Sequence, residues 1–316
     1  MLPLLNEFKD KLLRDGRHPE TIEDWVAACV RFSKWYGSED MRKISPKVIE
    51  KYKIYLMTEY VTRMGKRLCG HTIRLKFSAL SLYFKFLAQG RKIFFDPTIN
   101  LELPETKQRL PDYIPSEKDI EELLRKPDTY TYMGIRDRTI FELMYTCPLR
   151  NSEIRELSFH EIDMKDKYIY PKRVKGGREC GIPIASSTYN ILEKYFQISR
   201  PRLASWSKRS TDRLFLTERG APFTKGTLHQ ILSRYRRDKR MHPHSLRHAC
   251  ATHMLRHGAR IRDIQVLLGH RKLTSTQVYT TLTANDIRDI QDKYHPREKR
   301  YRREERRKHG ALAKRV

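Results

Sequence analysis

Apolar residues recur at helical spacing along the first hundred positions of the chain. Leu5, Phe8 and Leu12 form one stripe, and stripes of the same period follow at residues 22–32, 48–56 and 73–87. Side chains three or four positions apart share one face of a helix, so each stripe predicts an amphipathic helix. We therefore expect residues 1–103 to form a small bundle of four or five helices.

Prolines interrupt the helical pattern after this bundle. Pro104, Pro111 and Pro115 fall within 104–116, and proline breaks helices and favours an extended connector. Ser116 followed by Asp119 is typical of a helix N terminus. These signals predict a linker at 104–116, a second domain at 117–296 and a C-terminal tail at 297–316.

The second domain mixes helical stripes with short strand-like segments. Helical spacing recurs at 138–145, 246–254 and 261–268, whereas 167–184 has two short apolar runs around Gly176-Gly177. Such a glycine pair between two apolar runs predicts a hairpin. Residues 213–217 also look like a strand. The expected fold is therefore mainly α-helical with a small antiparallel sheet, in two domains.

Charge is the strongest compositional signal. The 316 residues carry 65 Lys+Arg against 38 Asp+Glu, a formal net charge of +27. Such an excess predicts a polyanionic partner, with DNA or RNA first and an acidic membrane second. No apolar run approaches the ~18 residues of a membrane span. The five scattered cysteines lack a C-x-x-C pair and predict neither disulfides nor a zinc ribbon. We expect a cytoplasmic, nucleoid-associated protein.

Residues 241–283 gather side chains that suit phosphate chemistry. His244 and Arg247 are three apart, so both can face one side of a helix start. His270 follows the second helix. Thr274 and Gln277 predict the capping box of a third helix, which would carry Tyr279.

These motifs resemble the tyrosine site-specific recombinases, the phage-integrase and Xer family. The resemblance rests on P-H-S-L-R-H at 243–248, L-L-G-H at 267–270 and a tyrosine nine residues after that histidine. The segment 147–157, CPLRNSEIREL, is similar to the family's first box, with Arg150 and Glu153 at its two characteristic places. One departure is Pro148, where the family usually has glycine; a turn built for positive φ cannot be assumed there.

The resemblance implies how a DNA strand would be cut without metal, ATP or other cofactor. Tyr279 would attack phosphorus, giving a 3′-phosphotyrosine and a free 5′-hydroxyl. Arg150 and Arg247 would hold the non-bridging oxygens, since the planar guanidinium meets phosphate through two hydrogen bonds. The 5′-hydroxyl of another strand could then attack the phosphotyrosine and rejoin the DNA.

Four further residues take roles from the same resemblance. Lys175, just before the hairpin turn, would protonate the leaving 5′-oxygen, although its basic neighbours Lys172, Arg173 and Arg178 compete for this assignment. His244 would assist proton transfer at the tyrosine. His270 would contact a non-bridging oxygen, and Glu153 would orient an arginine.

Basic residues outside these motifs are candidates for contacts to the phosphate backbone, although a solvated helix face is an equal explanation for those in the first domain. The candidates are Arg63, Lys66, Arg67, Arg74, Lys76, Arg234, Arg236 and Arg237. The resemblance also implies partners: double-stranded DNA and a homotetramer on two sites, or a heteromer with a related recombinase. Chromosome-dimer resolution and movement of a mobile element remain open.

Three alternatives compete with this interpretation. A type IB topoisomerase would use the same chemistry to relax DNA, and a non-catalytic protein could bind DNA on the same scaffold. The histidine pairs 244/248 and 253/257 have i, i+4 spacing that zinc sites use, but no cysteine or carboxylate cluster completes a ligand set.

The tail at 297–316 carries ten basic and three acidic side chains, a net charge of +7. It has few apolar residues with which to dock on a protein. The sequence therefore favours a DNA-binding arm over a docking helix.

Overall fold

The structure is a computed structural model that describes residues 4–38, 40–62, 64–104, 113–171, 181–207, 209–268 and 284–313, with the backbone alone at 284–286 and 308–313. The chain divides into two compact units, residues 1–109 and 110–316. The division falls within the expected linker. Since 105–112 lie outside the described residues, the linker stays a prediction.

The first unit is helical. Its helices begin at sequence signals: Pro19 opens the second helix after His18, whose Nδ1 accepts from the Glu20 N–H at 3.3 Å. Gly37, with φ of 75°, ends that helix in the left-handed conformation. The helices are α1 Leu5–Arg14, α2 Pro19–Tyr36, α3 Pro46–Thr58 and α4 Gly70–Gln89.

Aromatic side chains fill the core of this unit. Phe8, Phe32, Tyr52, Phe77 and Tyr83 are each at most 1% exposed. Phe32 and Tyr52 meet edge to face with ring centroids 5.0 Å apart, a favoured arrangement for aromatic pairs. The apolar stripes of the sequence are thus core faces.

The second unit is mainly helical. Its first helix has the expected capping box, in which Ser116 Oγ accepts from the Asp119 N–H and the Asp119 carboxylate accepts from the Ser116 N–H. The helices are α5 Glu117–Arg125, α6 Tyr132–Thr146, α7 Asn151–Glu156, α8 Ser186–Lys194, α9 Arg200–Ala204, α10 Thr227–Tyr235, α11 Pro243–Arg256, α12 Ile261–Leu268, α13 Ala284–Tyr294 and α14 Pro296–Ala313.

Helix α6 is buried along most of its length, including its charged residues Arg136, Asp137 and Glu142. The Arg136 guanidinium donates to Asp137 at 2.8 Å and to the Leu216 carbonyl at 2.9 Å, so these buried charges are satisfied. Gly134 lets the helix start close to the preceding loop, because a Cβ there would lie 1.9 Å from the Asp128 carbonyl oxygen. Helices α7 and α11 both pack against this helix.

A small antiparallel sheet lies beside the helices, as the sequence predicts. Its strands are β1 Ile162–Asp163, β2 Tyr168–Ile169 and β3 Ile182–Pro183, in the order β1-β2-β3. Ile169 pairs with Ile162 on one side and Ile182 on the other. The segment 213–217 makes only isolated bridges, so the strand expected there is wrong.

Helix α14 occupies much of the expected tail. Its first two turns pack on α6 and α8 through polar contacts. Counting apolar residues along the sequence could not indicate such packing. Among the described residues, no helix is long and apolar enough to cross a membrane.

Candidate active site

Arg150 and Glu153 form one compact unit at the start of α7. The Arg150 N–H donates to Glu153 Oε2 at 2.7 Å, and its guanidinium Nη1 donates to Glu153 Oε1, also at 2.7 Å. The carboxylate therefore caps the helix and orients the arginine at once. The Arg150 side chain is 36% exposed, so it can still meet an anion from solvent.

Arg247 approaches the same carboxylate from α11. Its side chain is 9% exposed, and Nη1 lies 4.0 Å from Glu153 Oε2. The guanidinium also donates to the backbone carbonyls of Pro148 and Leu268. One carboxylate thus lies between two guanidinium groups, and this group of three keeps a net positive charge.

Glu153 is ionised in this setting. Burial alone would raise its pKa, but the hydrogen bonds from Arg150 and the charges of Arg150 and Arg247 outweigh burial and lower the pKa below its ordinary value. An ionised Glu153 can hold both arginines in place. The geometry matches the orienting role that the sequence suggested, while the role itself stays a prediction.

Pro148 serves this site through its carbonyl oxygen. The residue is buried, and its carbonyl accepts from Arg247 across 99 positions of sequence. Residues 147–150 include no positive φ. The turn therefore does not depend on the glycine that the family usually has there, and Arg150 is held in spite of that departure.

His244 lies on the first turn of α11, three residues before Arg247. His242 caps this helix, its Nδ1 accepting from the Ser245 N–H at 3.2 Å. The His244 ring lies 6.5 Å from the ring of His242. His244 is exposed, yet desolvation of its imidazole, and then the nearby His242 and Arg247, lower the pKa of His244 below 6.5. Its imidazole is therefore neutral at pH 7 and can accept a proton.

Lys175, His270 and Tyr279 lie outside the described residues. Their neighbours are described: β2 and β3 flank the segment that holds Lys175, and α12 ends at Leu268, two residues before His270. The Leu268 carbonyl accepts from Arg247. This contact joins the helix that leads to His270 with the arginine of α11.

The histidines of the zinc alternative have other contacts. His253 is fully buried, with Nδ1 2.9 Å from the Tyr145 hydroxyl oxygen, and His257 Nε2 lies 2.9 Å from Glu117. His248 is exposed. Within the ranges described above, no three His, Cys, Asp or Glu side chains are grouped as metal ligands.

The first-domain candidates for DNA contact differ in their surroundings. Lys66 and Arg67 are exposed beside a turn in which Val61 bridges to Arg67. Arg74 is exposed and donates to the Pro104 carbonyl at 3.1 Å. Lys76 is partly buried, and burial lowers its pKa. Arg63 lies outside the described residues.

The second-domain candidates for DNA contact also differ in their surroundings. Arg236 donates to the carbonyls of Lys239 and Met241 at 2.6 and 2.8 Å, so it holds the loop before α11. Arg234 is exposed, and Arg237 is 81% exposed with Glu122 3.8 Å away. The basic run thus includes at least one structural arginine, which a charge count could not distinguish from its neighbours.

Several contacts of the site had no signal in the sequence. The carbonyls of Pro148 and Leu268 hold Arg247, and a backbone acceptor is available at any residue type. The Tyr145–His253 contact in the core beneath α11 was missed as well. Its two partners are 108 positions apart.

Comparison with known proteins agrees with this geometry. Residues 116–286 match the phage integrase family, and the chain belongs to that family. The chain is 32% identical over 283 residues to the tyrosine recombinase XerC of Oceanobacillus iheyensis, covering 88% of this chain and 91% of the relative. It is 30% identical over 302 residues to the tyrosine recombinase XerD of Pseudomonas putida, covering 93% and 98%.

These relatives identify the class of enzyme. The chain is an Xer-type tyrosine recombinase, an enzyme that cuts and rejoins DNA in site-specific recombination. The topoisomerase and non-catalytic alternatives are not favoured.

The fold is shared with solved integrases. A lambda integrase dimer bound to a COC′ core site matches with a TM-score of 0.62 at 18% identity, over 85% of this chain and 94% of that one. The Tn1549 transposon integrase in complex with circular intermediate DNA matches with a TM-score of 0.61 at 17% identity, over 92% and 99%.

Proposed function

We propose that this recombinase cleaves DNA by attack of Tyr279 on a phosphate held by Arg150 and Arg247. The observation that carries the proposal is the shared carboxylate of Glu153, 2.7 Å from Arg150 and 4.0 Å from Arg247. Two guanidinium groups fixed before substrate binds need little reorganisation when charge develops on phosphorus.

The proton transfers that the reaction requires suggest roles for the remaining groups. A phenol of pKa about 10 is mostly protonated at pH 7, so attack requires an acceptor for its proton. His244 supplies one, because its lowered pKa keeps the imidazole neutral. The P–O5′ bond breaks as the Tyr279–phosphorus bond forms, and Lys175 gives its proton to the 5′-oxygen. His270 contacts a non-bridging oxygen.

Rejoining reverses these steps with a different strand. The 5′-hydroxyl of the partner strand attacks the phosphotyrosine, and the phenol leaves with a proton. Bond energy is conserved in the covalent intermediate, so ATP is not required, and the cationic side chains take the place of a metal at the phosphate. The residues of the mechanism supply all the proton transfers and all the charge neutralisation.

Strand exchange between two sites requires several active sites together. We propose a tetramer of this chain on two DNA duplexes, with a related recombinase replacing two of the protomers as the other outcome. The similarity to relatives named XerC and XerD supports both forms. Recombination by the purified chain alone would favour the homotetramer, and activity only with a second recombinase would favour the heteromer.

Covalent trapping tests the nucleophile. Cells expressing the recombinase are lysed in denaturant, and DNA that remains attached to the protein is recovered and its ends sequenced. The wild type should give 3′-linked adducts at a defined site. Tyr279→Phe should give none while it still binds that site, since only one oxygen is lost.

The matched control is Tyr130→Phe, a change at a side chain that is 98% exposed. This variant should form adducts as the wild type does. An adduct formed by Tyr279→Phe would assign the nucleophile to another residue.

A further inference from the structure

Helix α14 is fixed at its start by three polar contacts. The Arg297 guanidinium donates to the buried Glu142 carboxylate at 2.8 Å, and Glu298 Oε2 accepts from the Ser186 N–H at 2.9 Å. The Tyr301 hydroxyl accepts from Asn190 Nδ2 at 3.0 Å. Glu298 is fully buried by this packing. These contacts hold the first two turns against the catalytic unit and set the direction of the rest.

Beyond those turns the helix carries a stripe of exposed arginines. Arg303, Arg306 and Arg307 are exposed, and none has an ion-pair partner among the side chains that the structure describes. Residues three and four apart share one face of a helix, so the stripe is continuous. Along the helix axis, the backbone position of Arg303 lies about 4.5 Å from that of Arg306 and about 6 Å from that of Arg307.

Such a stripe is unfavourable without an anion. Arg303 and Arg307 are an i, i+4 pair of like charge, which repels. Cations near a helix C terminus do interact well with the helix dipole, but that effect does not require three of them on one face. A polyanion along the stripe would remove the repulsion.

We propose that the α14 arginine stripe, Arg303, Arg306 and Arg307, binds the phosphate backbone of duplex DNA. The inference rests on the enzyme's action on DNA and adds a binding surface outside the residues of the cleavage site. Phosphate contacts of this kind position a protein on DNA and increase its affinity without reading sequence.

The composition of the stripe favours phosphate over a protein partner. Protein interfaces are centred on buried aromatic and aliphatic side chains. Among the described side chains of α14, the only apolar or aromatic ones are Pro296 and Tyr301, and both are partly buried. Arginine forks match phosphate oxygens, and the enzyme's own substrate supplies a continuous row of them.

The test compares two triple variants on random-sequence duplex DNA. Arg303→Gln, Arg306→Gln and Arg307→Gln remove the stripe while keeping good helix formers. The control changes Arg202, Arg209 and Arg219 to Gln, three exposed arginines of the same unit. Both variants lose three charges, and thermal unfolding checks that each is folded.

The stripe variant should bind DNA less tightly at every salt concentration. The slope of log K against log salt should flatten by about 0.9 for each phosphate that the protein no longer neutralises, or nearly 3 for all three. The control should change the slope by less than the amount expected for a single phosphate. If the proposed cleavage mechanism were wrong, the wild-type protein would not form the expected adduct. If only the stripe proposal were wrong, the adduct would form and the salt slope of the stripe variant would not change.

Two results would overturn the proposal. Equal changes of slope in both triple variants would show that DNA binding depends on the net charge of the protein and not on the position of the stripe. An unchanged slope in the stripe variant, with or without loss of pairing between two protomers, would exclude phosphate binding by the stripe; loss of pairing would assign the stripe to a second copy of the chain.

Discussion

The carboxylate between Arg150 and Arg247 offers the sharpest test of the site. Glu153→Gln keeps the size and shape of the side chain but removes its charge. An amide has one acceptor oxygen, whereas the carboxylate accepts from Arg150 through both of its oxygens, each at 2.7 Å. One of those two hydrogen bonds must therefore disappear in the variant, together with the attraction to Arg247 at 4.0 Å.

The expected loss of stability in Glu153→Gln follows from the loss of one charge-assisted hydrogen bond. Such a bond contributes about 1.5–3 kcal/mol when buried, and the Arg150 side chain is 36% exposed, so water replaces part of it. We expect Glu153→Gln to destabilise the catalytic unit by about 1–2 kcal/mol, or about 2–8 °C in Tm for a domain of this size. A loosened arginine pair should also slow cleavage about tenfold or more, since 1.4 kcal/mol of barrier is a factor of about ten.

Measuring stability as a function of pH separates the effect of the Glu153 charge from the effect of its shape. The pKa of Glu153 is lowered on folding, so its carboxylate stabilises the folded state fully above the ordinary value of about 4.5. That stabilisation is lost as pH falls through the lower folded pKa. The difference in Tm between wild type and Glu153→Gln should therefore be constant near pH 7 and shrink below about pH 4.5.

The assay is thermal unfolding of both proteins from pH 7 to pH 3, with adduct formation measured at pH 7. The matched control is Glu156→Gln on the same helix, which removes an ion pair to Arg155 at 2.7 Å whose carboxylate is 38% exposed. Water can solvate this carboxylate more readily than that of Glu153, which is 11% exposed, so Glu156→Gln should lower stability less than Glu153→Gln does. If the difference in Tm between wild type and Glu153→Gln stayed the same down to pH 3, the charge of Glu153 would not be the cause of its stabilising effect.

Three further outcomes are expected. Lys175→Ala should slow cleavage sharply and recover on a substrate whose bridging 5′-oxygen is sulfur, because a thiolate leaves without a proton; no recovery would move the role to Lys172. Cleavage should persist in excess EDTA, and loss of activity that zinc restores would favour the histidine alternative. Arg297→Ala removes one of two arginines from the buried Glu142 and should lower stability by about 2 kcal/mol. Arg125→Ala, whose side chain is 73% exposed and lies 4.0 Å from Glu121, should change stability much less, and equal effects in thermal unfolding would contradict this account.

Local patterns in the sequence predicted much of the fold. The amphipathic stripes of the first unit became α1 to α4, and the capping box at Ser116 and Asp119 starts α5. The motif helices α11 and α12 also lie where the apolar spacing placed them, and Gly258 between them has φ of 91°. These features depend on residues a few positions apart, so a single sequence contains them.

The rest of the site depends on pairs that are far apart in sequence. Arg247 meets Pro148 across 99 positions, and Arg297 meets Glu142 across 155. The charge of each arginine can be read from the sequence, but its partner cannot. Arg236 illustrates the consequence, since it counts as a DNA candidate by charge yet binds the carbonyls of its own loop.

Pro148 shows why a departure from a family motif need not disturb a site. Proline lacks an N–H and has a fixed φ, so it would damage a turn that needs either a donor or a positive φ at that position. The contact that the site uses is the Pro148 carbonyl, which accepts from Arg247, and proline keeps its carbonyl. Arg150, two residues later, has its own N–H bound to Glu153 at 2.7 Å. The two arginines are therefore held by groups that the substitution leaves in place, and the rigid ring reduces the freedom of the chain that carries them.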